Sequence, residues 1–187
     1  MRPIVKLWEI CDIISWQSPE SKYYNDKWEW LPFFQWKTEF SDKYIWNPKT
    51  WTTHITKESL KNDILMSVRA PVWPVNINGF DRICIWRWLC AIRPGKDIKL
   101  EYLFNYLIWI QDKISWNRWS VFDSINRKDI ESIEIPLPPL DEQIKIIEYL
   151  DDVNNEIDNL IVQHQLQIKN LYELKNSILD KAFKWKN

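Results

Sequence analysis

Glycine is almost missing. The 187-residue chain has only Gly79 and Gly95, where an ordinary globular chain devotes roughly 7% of its residues to it. No glycine-rich cofactor loop and no G-x-x-x-x-G-K-[ST] phosphate loop is present, so the usual phosphate cradles are excluded. An N/D-P-P-Y-type motif of amino-methyltransferases is absent too. Cysteine is scarce and odd in number. Cys11, Cys84 and Cys90 lack C-x-x-C spacing, which argues against a disulfide framework and a zinc site. Buried thiols in a reducing cytosol are expected instead. His164 has no second ligand at i±4, His54 lies on a polar loop with Thr52 and Thr53 and no evident partner, and no spaced carboxylate cluster suggests a metal. No apolar run approaches the ~18 residues of a membrane span, and Met1–Lys6 has no apolar signal region. A cytoplasmic, non-membrane protein is expected.

Charge of one sign is lacking as well. The formal net charge is −1, so the chain as a whole is no electrostatic nucleic-acid binder. Its distribution is uneven. Residues 141–187 carry 6 basic and 9 acidic groups, leaving 19 and 17 in residues 1–140. Between positions 69 and 96, Arg69, Arg82, Arg87, Arg93 and Lys96 face Asp81 alone. Such a stretch suits phosphate contact or a solvated face equally.

What the chain has in excess is tryptophan, fourteen in all. Many sit where a chain wants glycine, as in Ser15-Trp16-Gln17-Ser18-Pro19, Asn25-Asp26-Lys27-Trp28 and Trp86-Arg87-Trp88. Turns require residues that tolerate positive φ or close backbone approach, which glycine does and tryptophan does not. Two readings follow. In one, UGA codons that the organism reads as glycine have been rendered as tryptophan. In the other, the tryptophans are real and form a surface for sugars, membrane interfaces or stacked bases.

The chain uses two grammars. Residues 1–137 are short apolar runs broken by Pro, Asn, Asp or Trp, predicting strands near residues 13–14, 31–34, 64–68, 75–77, 83–85 and 89–92. Leu103, Leu107, Ile110 and Ile114 recur at helical spacing and predict a helix over 100–114. A short helix is expected after Asn126, then a strand over 133–135. The fold class is α+β: a loop-rich, β-containing domain followed by one long coiled-coil helix. The domains are expected at 1–137 and 138–187.

The second region opens on the extended segment Pro136-Leu137-Pro138-Pro139-Leu140, after which Asp141 is expected to cap a helix. With no Pro or Gly up to Phe183, that helix would be on the order of 60 Å long. Leu150, Ile157, His164, Leu171 and Ile178 recur every seven residues, and Val153, Leu160, Gln167 and Leu174 run three later. This is a coiled-coil seam, and its polar His164/Gln167 layer suits a register-setting role.

A β-rich loop domain, then "IPLPPLDEQIKII", then a helix ending "LKNSILDKAFK" resembles the specificity subunit of Type I restriction–modification systems. Lys6-Leu7-Trp8-Glu9-Ile10 looks like that family's K-L-G-E-I opening, and Ile14 to Pro19 resembles its G-x-[ST]-P turn. "DILMSVRAPVW" looks like D-I-L-x-S-x-R-A-P-V-G, and "CIWRWLCAIRP" like C-I-G-R-G-L-x-A-I-R. The resemblance spans essentially the whole chain. It also places glycine at Trp8, Trp16, Trp36, Trp73, Trp86, Trp88, Trp119 and Trp185. Trp28, Trp30, Trp46 and Trp116 join them from their turn-like surroundings, whereas Trp51 and Trp109 read as genuine. With those twelve restored, glycine returns to about 7%, the ordinary value.

The resemblance implies a non-catalytic subunit that reads double-stranded DNA and binds no cofactor itself. S-adenosylmethionine, ATP and Mg would belong to partner modification (M) and restriction (R) subunits. It further implies one of two recognition domains and one of two antiparallel spacer helices. A homodimer, or pairing with another specificity half, is therefore expected through Leu150, Val153, Ile157, Leu160, His164, Leu171, Leu174 and Ile178. A truncated, inactive remnant and a coiled-coil protein that sequesters the modification subunit are alternatives. For DNA contact, Arg69, Arg87 and Arg118 are first choices, because arginine in a turn can reach phosphates or guanine edges. Gln35, Lys37 and Asn117 are second. Arg69 and Arg87 fall in shared motifs, which suit scaffold more than readout, so the loops 38–50 and 116–124 are expected to carry specificity.

Overall fold

The computed structural model describes residues 3–15, 17–35, 39–69, 72, 74–117 and 124–184, and side chains within 112–117 are outside the description. The chain divides into two compact units, Met1–Ile144 and Lys145–Asn187.

Within the first unit, eleven short strands are described: β1 (Ile4–Lys6), β2 (Cys11–Ser15), β3 (Tyr24–Asn25), β4 (Leu31–Phe34), β5 (Trp51–Thr52), β6 (Glu58–Leu60), β7 (Ile64–Ser67), β8 (Val75–Ile77), β9 (Arg82–Ile85), β10 (Leu89–Pro94) and β11 (Glu134–Pro136). They form a pair β1-β11, a four-stranded sheet β2-β10-β7-β8 and a five-stranded sheet β3-β5-β4-β9-β6. Among these strands every described pairing is antiparallel except β4 with β9. The runs ILMS, VNI and LCAI are buried at every position, which is why they read as continuous apolar segments without alternation. Phe34, Ile83 and Ile85 of one sheet share a core with Leu65, Leu89 and Ala91 of the other.

The helices are α1 (Leu7–Ile10), α2 (Leu100–Asn117), α3 (Arg127–Glu131) and α4 (Leu140–Lys184). Asn126 caps α3 as its sequence suggests: its side chain accepts from Asp129 N, and the Asp129 carboxylate accepts from Asn126 N. The cap expected at Asp141 is corrected. Helix α4 already begins at Leu140, and the Pro139 carbonyl accepts from Gln143 N at 3.0 Å. Proline can hold that position because it need only accept there, and Asp141 and Glu142 occupy the first turn, where the helix dipole favours them. Gln143 is buried with its amide fully used. It accepts from Lys99 N (2.8 Å) and donates to Asp97 O (3.0 Å) and Pro138 O (2.9 Å).

In the second unit α4 is a single uninterrupted helix. In the isolated chain its seam is open to solvent: Ile157, Leu160, His164, Gln167, Leu171, Leu174 and Ile178 are exposed, and Leu150 and Val153 are half-buried.

The two glycines have opposite tolerance. The Gly95 N–H donates to Ile10 O at 2.9 Å, and a Cβ at 95 would fall 2.5 Å from that same oxygen. At Gly79 the nearest atom would be Tyr44 Cδ1 at 3.6 Å. Gly95→Ala is expected to destabilise the first unit by about 1–3 kcal/mol, and Gly79→Ala to stay within about 0.5 kcal/mol. Urea titration of the two variants checks the contrast.

Candidate nucleic-acid interface

Backbone pairing brings the ends of several strands to one rim. β2 ends at Ser15, opposite Cys90, and β7 ends at Ser67, opposite Leu89. β4 and β9 run parallel and finish together at Phe34 and Ile85. Hydrogen bonds then tie the loops beyond these ends to each other. Trp86 N donates to Phe34 O, Val68 N to Trp88 O, and Ile85 N to Lys57 O, at 2.9, 2.9 and 3.1 Å. Arg87 N donates to Ser18 Oγ at 2.9 Å, and Thr56 Oγ1 to Gln17 O at 3.0 Å.

Three of the sequence candidates meet on this rim. Arg87 is exposed at the tip of the tight turn closed by Leu89 N on Trp86 O (2.9 Å). Its guanidinium lies 5.6 and 5.8 Å from the Trp86 and Trp88 ring centroids, within cation–π range of both. Arg69 is exposed just past β7, forms an antiparallel bridge with Ser124, and accepts from Ser67 Oγ through its carbonyl (3.1 Å). Gln35 follows β4, and its N–H donates to the carboxylate of buried Glu39 at 2.9 Å. Lys37 and Arg118 lie outside the described residues, as does the side chain of Asn117, the last residue of α2.

The structure also sorts the basic stretch. Arg82 is bound in a two-point pair to Glu58, and Arg93 in another to Asp63, whose carboxylate is buried and also accepts from Leu60 N. Donating to the Asp63 carboxylate raises the Arg93 pKa above its ordinary value. These pairs neutralise two of the five cations. Among the described residues Arg69 and Arg87 have no ion-pair partner, and both lie on the rim.

Ser18 and Lys57 were missed by sequence reading. Ser18 holds a turn 69 residues away, and nothing local announces such a contact. His54, for which the sequence offers no partner, stacks on Tyr23 with centroids 4.8 Å apart. The thiols are buried, and burial pushes Cys11 and Cys90 up to about 12, so neither is poised as a nucleophile. Among the described residues no group of three His, Cys, Asp or Glu could hold a metal, and no helix is long and apolar enough to cross a membrane.

The tryptophans do not behave as one class. Trp8, Trp28, Trp30, Trp46 and Trp109 are exposed, Trp51 is buried, and Trp86 and Trp88 are half-buried. Two of the turn tryptophans nevertheless make ring contacts. Trp28 stacks on Trp51 at 4.9 Å, and Trp86 stacks on Phe33 at 5.7 Å. Large apolar rings cover neighbouring aromatic surface wherever the backbone leaves them within reach.

Comparison with known proteins agrees with this architecture. Residues 3–170 match the Type I restriction modification DNA specificity domain. The chain is 41% identical over 170 residues to a protein of Methanocaldococcus jannaschii named as the type I restriction enzyme MjaX specificity subunit, covering 90% of this chain and 39% of that one. The HsdS subunit from Thermoanaerobacter tengcongensis superposes with a TM-score of 0.81 at 37% identity over 97% of this chain and 44% of that one. A chain from a structural study of complex assembly and conformational transition in the type I R-M system gives 0.85 at 38% identity, with 97% and 45% covered. The S subunit from M. genitalium, at 16% identity and 0.58, shares the fold. The chain thus spans less than half the length of these relatives. It belongs to the family of Type I restriction modification DNA specificity domains.

Proposed function

We propose that this chain reads duplex DNA by sequence as the specificity component of a Type I restriction–modification complex. The observation that carries the reading is the meeting of Arg69, Arg87 and Gln35 on one rim, with the only rim cations of the basic stretch left unpaired among the described residues. Arg69 and Arg87 sit where the backbone ladder fixes the turn, so they serve phosphate contact and registration. Sequence readout is assigned to residues 38–50 and 116–124, with Lys37, Asn117 and Arg118 as the named contacts.

The chain's part is selection and positioning, without catalysis or a cofactor of its own. A modification subunit would supply S-adenosylmethionine chemistry on a base flipped out of the duplex. A restriction subunit would supply ATP- and Mg-dependent cleavage. These steps take place in the cytoplasm, where the DNA is. The open heptad seam of α4 takes a second helix of the same kind, from another copy or from a second specificity half, and the paired helices set the distance between two half-sites. Two identical readers would require a palindromic site.

Two measurements test this. With random-sequence duplex at low salt, Arg87→Ala and Arg69→Ala are each expected to weaken binding and lower the slope of log affinity against log salt by about 0.9, as loss of one phosphate contact does. An unchanged slope and affinity in both would contradict the rim as the interface. For the seam, light scattering is expected to show a dimer that Ile157→Lys/Leu171→Lys converts to monomer, and a wild-type chain that stays monomeric at high concentration counts against helix pairing.

A further inference from the structure

The turn between β3 and β4 is shaped by one side chain. Asn25 Oδ1 accepts from Lys27 N (3.1 Å) and Glu29 N (3.2 Å), while Asn25 Nδ2 donates to Glu29 O (3.3 Å). This clamp acts on backbone atoms and fixes the path of the chain through residue 28 whatever its side chain. The path is left-handed: Trp28 has φ 65° and Trp30 has φ 74°. Among the described residues the other positive-φ positions outside glycine are Asn47 and Asn62, the type that tolerates this region best after glycine, and neither glycine occupies it. A β-carbon bearing an indole is a genuine outlier there. Trp30 remains 73% exposed, and Trp28 remains 76% exposed even with one ring face stacked on Trp51, so burial offsets little of the strain.

The rim turn shows the same mismatch by another observation. Among the described residues the buried Trp86 indole N–H has no acceptor, an orphan donor that native interiors rarely keep. Yet the turn needs no side chain at 86 or 88. It is held by Trp86 N on Phe34 O, Leu89 N on Trp86 O, Val68 N on Trp88 O, and Arg87 N on Ser18 Oγ. The composition has the same sense, with two glycines against fourteen tryptophans.

We infer that positions 28, 30, 86 and 88 are glycine in the chain as its own cell makes it, and that the rim turn therefore meets duplex DNA through its backbone and Arg87, not through an aromatic platform for unstacked bases. The second half rests on the DNA-reading function proposed above; the first does not. With glycine on both sides, Arg87 loses the two rings that now flank it and the turn can approach a phosphate closely. With tryptophan, two rings around a cation would make a stacking site for single strands.

Tryptic peptides from the protein purified out of its native cells decide the first half. The peptide spanning 28–37 carries positions 28 and 30, those spanning 83–87 and 88–96 carry 86 and 88, and the peptide spanning 50–57 carries Trp51 as control. Glycine masses at the four positions with tryptophan at 51 are expected, and tryptophan masses at 28 and 30 overturn the assignment. As a structural companion, the W28G/W30G variant is expected to melt several degrees above the all-tryptophan chain; an equal or lower melting temperature counts against the strain argument. For the second half, W86G/W88G is expected to bind random-sequence duplex at least as well as the all-tryptophan chain and a single-stranded oligonucleotide roughly tenfold more weakly. Glycine masses combined with unchanged single-strand binding, or with loss of duplex binding, would reject the duplex-facing turn while leaving the glycine assignment intact. If duplex binding is missing from both chains, the DNA-reading function itself fails.

Discussion

The tight connection from Ile85 to Leu89 constrains the rest of the first unit, because it joins strands of two different sheets. β9 pairs in the five-stranded sheet and β10 in the four-stranded one. With only three residues between them, both sheets must finish at the same level, and their inner faces must share one core. Ile83, Ile85, Leu89 and Ala91 all lie in that core. Once β9 and β10 are joined in this way, the pairing registers carry the ends of β2, β4 and β7 to the same rim. The interface is a consequence of how two sheets are tied, and Arg87 stands at the knot.

The start of α4 is fixed by a different physical device. Proline supplies an accepting carbonyl where a helix needs no donor, and Gln143 buries a side-chain amide whose hydrogen-bonding capacity is met by Lys99, Asp97 and Pro138. A buried amide with any of these partners removed would leave unpaired polar atoms, so the first turn of the helix is specified by hydrogen bonds more than by hydrophobic contact. Beyond it, the heptad leaves apolar side chains in water in the isolated chain, a condition that a second helix relieves.

Much of this was legible in the sequence, for physical reasons. Apolar runs such as ILMS and LCAI are long enough to declare themselves, the 3–4 spacing of Leu103, Leu107 and Ile110 marks α2, and proline bounds α4. Two-residue strands such as β3 and β5 carry no periodicity, and they were not foreseen. The same holds for α1, a single turn whose capping bond, Lys6 N to Glu9 Oε1, is visible only in three dimensions. At the interface, Arg69, Arg87 and Gln35 were legible as turn residues, but their convergence depends on sheet register. Ser18 was invisible because its partner is distant in sequence. The sequence also allowed all five cations of the basic stretch to face a ligand, and the Arg82–Glu58 and Arg93–Asp63 pairs remove two of them.

The most direct test of a rim that faces duplex DNA is amide hydrogen exchange with and without a saturating pool of random-sequence duplex at low salt. The account predicts slowed exchange over residues 17–20, 34–35, 56–57, 68–69 and 86–88, with residues 60–63 and 79–82 unchanged. Protection of 60–63 and 79–82 with the rim unaffected would contradict it.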